Sequence, residues 1–135
     1  MKRALTIAVL LVVACAIAAV LVNATLLVSR RAAQMRQGID ALWLGIDAYA
    51  RDYGGRYPPA APVRPPRPDS PNAHERRSLA AYMSGWPLSP FSGQLMKAGR
   101  QPGDFLYVRG RGGRSATLTG FGLGGETVIA LQSRQ

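Results

Sequence analysis

Acidic residues are scarce in this chain and late to appear: it has seven carboxylates, and none precedes Asp40. It has one cysteine, Cys15, and one histidine, His74. A lone cysteine forms no intramolecular disulfide and says nothing of redox compartment. With these side chains so few and the carboxylates scattered, neither a nucleophile–base pair nor a metal cluster assembles along the sequence. We therefore expect no enzyme, no cofactor and no metal. His74, beside Glu75-Arg76-Arg77, reads as a solvated helix start. Gly120-Phe121-Gly122-Leu123-Gly124-Gly125 has the glycine density of a nucleotide-binding loop. It precedes a strand, however, and that motif needs a following helix whose N-terminus holds phosphate.

What the chain does have is an uncharged apolar run of about 26 residues, Ala4 to Ser29, between Lys2-Arg3 and Arg30-Arg31. About 20 such residues cross the hydrocarbon core of a bilayer, so residues 1–29 are expected to form a transmembrane anchor helix. Two alternatives stand beside it. One is a secretory signal peptide, with Ala16-Ile17-Ala18 as its cleavage region. The other is a lipoprotein signal, in which Val12-Val13-Ala14-Cys15 is the lipobox and Cys15 the lipidated residue. Either cut leaves an apolar product, because AIAAVLVNATLLV follows Cys15, and a signal's apolar core spans only 7–15 residues. The retained helix accounts for the full run. Basic residues flank both ends, so the positive-inside rule gives no single orientation. Asn23 and Thr25 are the notable polar groups near its outer end, available to a neighbouring helix or to the backbone.

Beyond Arg31 the apolar pattern turns periodic. Met35, Ile39, Leu42, Ile46, Tyr49 and Tyr53 alternate spacings of four and three, the stripe of an amphipathic helix that serves either a coiled coil, for which six positions are under three heptads, or a small domain folded back onto it. Asp47 and Arg51 form an i, i+4 pair on another face. The first helix stop is Gly54-Gly55 with Pro58-Pro59 behind it. One helix from about Ala4 to Tyr53 would be roughly 75 Å long at 1.5 Å per residue. Its amphipathic half covers residues 30–53.

Residues 54–74 form a proline-rich loop. Half of PPAAPVRPPRPDSP, Pro58 to Pro71, is proline, which favours a stiff extended surface connection, or a PxxP ligand framed by Pro62 and Pro65. Residues 75–104 hold turns and one short helix, suggested by His74-Glu75-Arg76-Arg77 and Ser78 to Met83 and ending at Gly85. Residues 105–131 supply three short strands, Phe105–Arg109, Ala116–Phe121 and Thr127–Leu131, separated by glycine clusters. Short loops between consecutive strands predict an antiparallel β-meander. Such a small sheet needs a partner for its apolar face, and the Met35–Tyr53 stripe is the long apolar surface on offer. The expected fold class is α+β, with residues 30–135 as one small domain.

Particular stretches add a family resemblance. AYARDYGGRYPP, Ala48 to Pro59, looks like the end of a pilin helix and the turn after it. Trp86-Pro87, Pro90-Phe91-Ser92-Gly93, Gly103-Asp104-Phe105-Leu106-Tyr107 and Leu118-Thr119-Gly120-Phe121-Gly122 follow in order with fitting spacings. Together they resemble the type IV pilin and type II secretion pseudopilin superfamily, in particular its major, G-type subunit. The resemblance implies a pilin-like fold, a single-pass protein of the bacterial inner membrane, and a periplasmic or extracellular C-terminal domain. Its implied partners are membrane lipid and other pilin-like subunits or secretion machinery. The chain departs from the family at two points. Met1 to Val13 holds no prepilin peptidase run and no glutamate. The loop from Gly122 to Thr127, where family members bind calcium, offers only Glu126, whereas calcium takes six to eight oxygens.

Charge points to a second class of partner. Of the 17 basic residues 15 are arginine, and without Lys2 and Arg3 the chain still carries +8. Arg109-Gly-Arg111-Gly-Gly-Arg114 places three guanidinium groups on one hairpin loop, able to meet phosphates or anionic lipid headgroups. A membrane-tethered DNA- or polyanion-binding module of the competence type is therefore the alternative to a pilin-like subunit. A plain soluble hairpin in an arginine-rich chain is the third reading of the same loop.

Overall fold

The computed structural model describes residues 2–59, 63, 65 and 79–133. Helix α1 spans Lys2–Asp52, and strands β1 (Phe105–Arg109), β2 (Ala116–Phe121) and β3 (Thr127–Gln132) follow it. The architecture is α+β. Two compact units divide at Arg31 and Ala32.

In the first unit, every large apolar side chain described between Ile7 and Val28 is exposed. Burying one such side chain is worth ~1.5–3 kcal/mol, so water is a poor solvent for this segment. The helix is long and apolar enough to cross a membrane. The hydroxyls of Thr25 and Ser29 donate back to the helix's own carbonyls, Val22 O at 2.8 Å and Thr25 O at 3.0 Å. Such back-bonding satisfies them within the segment.

The second unit, residues 32–135, has its core under the helix stripe. Met35, Ile39, Leu42 and Ile46 have no solvent exposure and Tyr49 is 9 % exposed. Phe105 and Tyr107 from β1, Ala116 and Leu118 from β2, and Leu79, Trp86 and Met96 from the intervening segment complete the cluster. Gly120 of β2 shows how close the sheet comes: a Cβ there would lie 2.7 Å from Ile39 Cγ1 and 2.9 Å from Met35 Cε. The stripe ends earlier than its spacing implies. Tyr53 lies beyond α1 and is 42 % exposed, stacked on Tyr49 instead of packed on the sheet. The physical reason is the helix stop. Gly54 and Gly55 adopt positive φ (64° and 80°), and Gly55 N–H reaches Ala50 O at 2.7 Å, closing a Schellman-type cap that turns the chain away.

The strands pair β1–β2–β3, each neighbour antiparallel, with Tyr107 opposite Leu118 and Leu118 opposite Leu131. Their limits agree with the pattern of apolar and β-branched residues, β3 running one residue further, to Gln132. A register irregularity falls between Gly120 and Phe121. Of the short helix expected over His74 to Met83, the described part is a four-residue 3-10 helix, Leu79–Tyr82. Leu79, with no exposure, is the buried residue of that turn. The proline-rich stretch is not purely a surface connection. Val63 is 2 % exposed and Pro58 is buried, so an apolar side chain among the prolines is drawn into the core. Most of that stretch, Pro62 included, lies outside the described residues, as does His74 to Ser78.

The turn-rich segment WPLSPFSGQLM forms a tight hairpin: Ser89 N–H donates to Gln94 O and Met96 N–H to Pro87 O. The Ser89 hydroxyl accepts N–H bonds from Phe91 and Ser92. The Trp86 indole donates to Met96 O at 2.7 Å, fixing the ring over Phe105. Tyr107 makes a comparable tie, its phenol donating to Pro58 O at 2.6 Å.

Burial pushes the Tyr107 phenol well above its ordinary value, against the opposing pull of Arg109. The folded state therefore holds this proton after an unfolded chain, titrating near pH ~10, has released it. Stability from Tyr107 is intact below about pH 10 and falls as pH rises beyond it. Tyr107→Phe should lower stability at pH 8 by about 1–2 kcal/mol, because the Pro58 carbonyl loses its donor. The gap between variant and parent should then narrow toward pH 11, read as melting temperatures across that range. A gap constant with pH would mean the phenol proton does not contribute. Tyr57 is raised by burial and by Asp47, and Tyr82 is pushed up to about 12 by burial and by Asp52, so some alkaline loss remains in the variant.

Candidate functional site

The turn after α1 sends residues 56–59 back along the helix. Tyr57 stacks on Trp43, with centroids 6.1 Å apart and planes at 25°, and its hydroxyl donates to Asp47 Oδ1 at 3.3 Å. Its N–H donates to Gly113 O at 2.8 Å, which ties this segment to the β1–β2 loop.

That loop carries the arginine cluster. Arg111 opens a three-residue 3-10 turn, Arg111–Gly113, in which Gly112 and Gly113 adopt positive φ of 70° and 72°. Arg109, Arg111 and Arg114 are all exposed. They do not act as one cluster, however. The Arg109 guanidinium lies where a Cβ on Gly113 would be, so glycine at that position is what lets the side chain fold over the loop.

The result is a cleft of about 330 Å³ lined by Tyr49, Tyr53, Arg56, Tyr57, Pro59 and Arg109. Two arginines and three tyrosines thus line one cleft. Among the described residues, neither arginine has a carboxylate partner. Of the nearby acids, Asp47 accepts the Tyr57 hydroxyl, and Asp52 is among the groups that raise Tyr82. The arrangement can hold an anion and stack a flat ring.

The structure brings Arg109 into the cleft with Tyr49 and Tyr53, and leaves Arg111 and Arg114 on the loop outside its lining. Met35, Ile39, Leu42 and Ile46 are core. Cys15 is exposed in the first unit and makes no disulfide. Sequence reasoning missed Arg56 and Tyr57, which sit in a stretch read only as a turn. The available signal was the aromatic and basic pair directly behind two glycines, where a reversal returns side chains to the helix just left.

A second concavity of about 480 Å³ lies between Gln34, Gln37 and Ala41 of α1 and Pro87, Leu88 and Pro90 of the tight hairpin. Among the described residues, no charged side chain lines it.

The β2–β3 loop does not fit a calcium ion. Its one carboxylate, Glu126, folds back on its own loop, Oε2 accepting Gly124 N–H at 2.7 Å while the carboxylate crowds Gly122. Six to eight oxygens, several of them charged, are what such an ion takes. Among the described residues no three of His, Cys, Asp or Glu converge elsewhere.

No family model matches this chain, and neither does any curated protein or solved structure.

Proposed function

We propose that this protein is a non-enzymatic, single-pass membrane subunit of a pilin- or pseudopilin-type assembly, serving type II secretion or a related pilus. It would sit in the bacterial inner membrane, with residues 32–135 on the periplasmic or outer side. The observation that carries this reading is the contrast along α1. Ile7 to Val28 expose every large apolar side chain, whereas Met35, Ile39, Leu42 and Ile46 have no exposure at all. One helix thus has a segment suited to lipid or to other helices, and a segment that is the spine of a small α+β domain. Assembly through helix burial uses the first and leaves the second to present loops.

A photo-crosslinking residue in place of Leu44, which is 65 % exposed on the helix away from the core, tests the reading in native membranes. The expected product is a light-dependent adduct with a second copy or with another single-pass subunit, from protein that resists alkaline carbonate extraction at full-length mass. Release by carbonate, or a mass that shows cleavage after Ala18 or a diacylated Cys15, would overturn the anchored-helix reading.

A second reading has its own observation. Arg109, Arg111 and Arg114 are exposed on one loop that contains no acid, which supports a membrane-tethered polyanion-binding role. Its ligand is taken up next.

A further inference from the structure

We propose that the tyrosine–arginine cleft binds single-stranded nucleic acid, one unstacked base resting against the tyrosine wall while flanking phosphates meet Arg56 and Arg109. This rests on the polyanion reading and goes beyond it by naming the form of the ligand.

Charge selects an anion. Arg56 and Arg109 line the same small cleft, the Asp47 carboxylate accepts the Tyr57 hydroxyl, and Arg111 and Arg114 continue the positive charge on the adjoining loop. Arginine's planar fork suits phosphate oxygens.

The rings select something flat attached to that anion. Tyr53 is 42 % exposed and is backed by Tyr49 at 4.2 Å and 13°. Tyr57 is backed in turn by Trp43. Rings held from behind are ordered before any ligand arrives, so little side-chain entropy is lost on stacking.

Size selects one ring at a time. At about 330 Å³ the cleft is at the small end for ligand pockets, with room for a single base. In a duplex the base faces are covered by their neighbours. Only an unpaired strand offers a π-face to an aromatic side chain while its backbone tracks a basic surface. The Tyr57 N–H to Gly113 O bond holds the Arg56 segment against the arginine loop, so stacking wall and basic loop form one continuous surface.

The test uses the full chain in zwitterionic nanodiscs. A labelled short oligothymidylate and a labelled duplex of equal length are titrated by fluorescence anisotropy at low and physiological salt. Tyr53→Ala should weaken the single strand roughly tenfold, the scale of one lost base–aromatic stack, and leave the duplex unchanged. Tyr53→Phe, which keeps the ring, should restore single-strand binding. Arg56→Gln and Arg109→Gln should each reduce the log–log salt slope for the single strand by about 0.7. Duplex and single strand bound alike, with Tyr53→Ala affecting neither, would overturn the stacking site while leaving a polyanion-binding loop in place. No binding of either form at low salt would overturn both.

Discussion

Ile39→Asp is expected to abolish cooperative folding of a fragment spanning residues 32–135. Ile39 has no solvent exposure and touches the sheet at Gly120. Truncating a buried isoleucine costs about 2–5 kcal/mol by itself. A carboxylate with no partner in that position adds several more, or forces the site open to water. Small domains have ~5–15 kcal/mol to lose, so the variant should show no sigmoidal melt by circular dichroism. Ile39→Val, which removes one methylene, should cost only about 0.5–1.5 kcal/mol. An aspartate variant that melted like its parent would mean that the stripe does not pack on the sheet.

The second large effect belongs to a residue with no side chain. Gly120→Val places a Cβ where Ile39 Cγ1 would lie at 2.7 Å and Met35 Cε at 2.9 Å, and adds two methyls beyond it. Both neighbours are fully buried, so they cannot swing into solvent to make room. Overpacking of this kind costs ~1–3 kcal/mol for a single methylene and more for a branched side chain. A fall of roughly 10–20 °C in melting temperature is expected, on the basis of about 4–8 °C per kcal/mol for a domain of this size. Gly85→Ala is the control: a Cβ there meets nothing within 4 Å, and the change should stay within about 0.5 kcal/mol. Equal melting temperatures for the two variants would place helix and sheet further apart than described.

These two sites differ in how visible they are from the sequence. Ile39 lies on a period of three and four that any helix must turn to one side, and its burial was expected from that alone. Gly120 sits in a strand as one glycine among 15. Nothing local marks it as the point where β2 approaches α1, because the distance between two elements is a property of neither. Tyr53 shows the opposite failure. It continues the stripe by spacing, but the Gly54–Gly55 cap ends the helix before the stripe does, so a ring read as core became the exposed wall of a cleft. Val63 was hidden for a similar reason: proline content described the chain's stiffness and not the pull of one apolar side chain toward the core.

The sequence by itself determined the apolar N-terminal helix, the buried helix stripe as far as Tyr49, the strand limits and their antiparallel order. Each depends on interactions between residues a few positions apart, or on loops too short for any other connection. The tertiary structure alone decided the Gly120 contact, the 3-10 turn at Leu79–Tyr82, and the cleft that joins Tyr49, Tyr53, Arg56, Tyr57 and Arg109. That cleft draws on the helix end, the turn behind it and the first strand, segments about 50 residues apart whose meeting is fixed by chain reversal and by one backbone hydrogen bond to Gly113. Periodicity reports which face of an element is apolar. It carries no information on which exposed groups of distant elements come to share a wall, because that depends on how closely the buried faces pack.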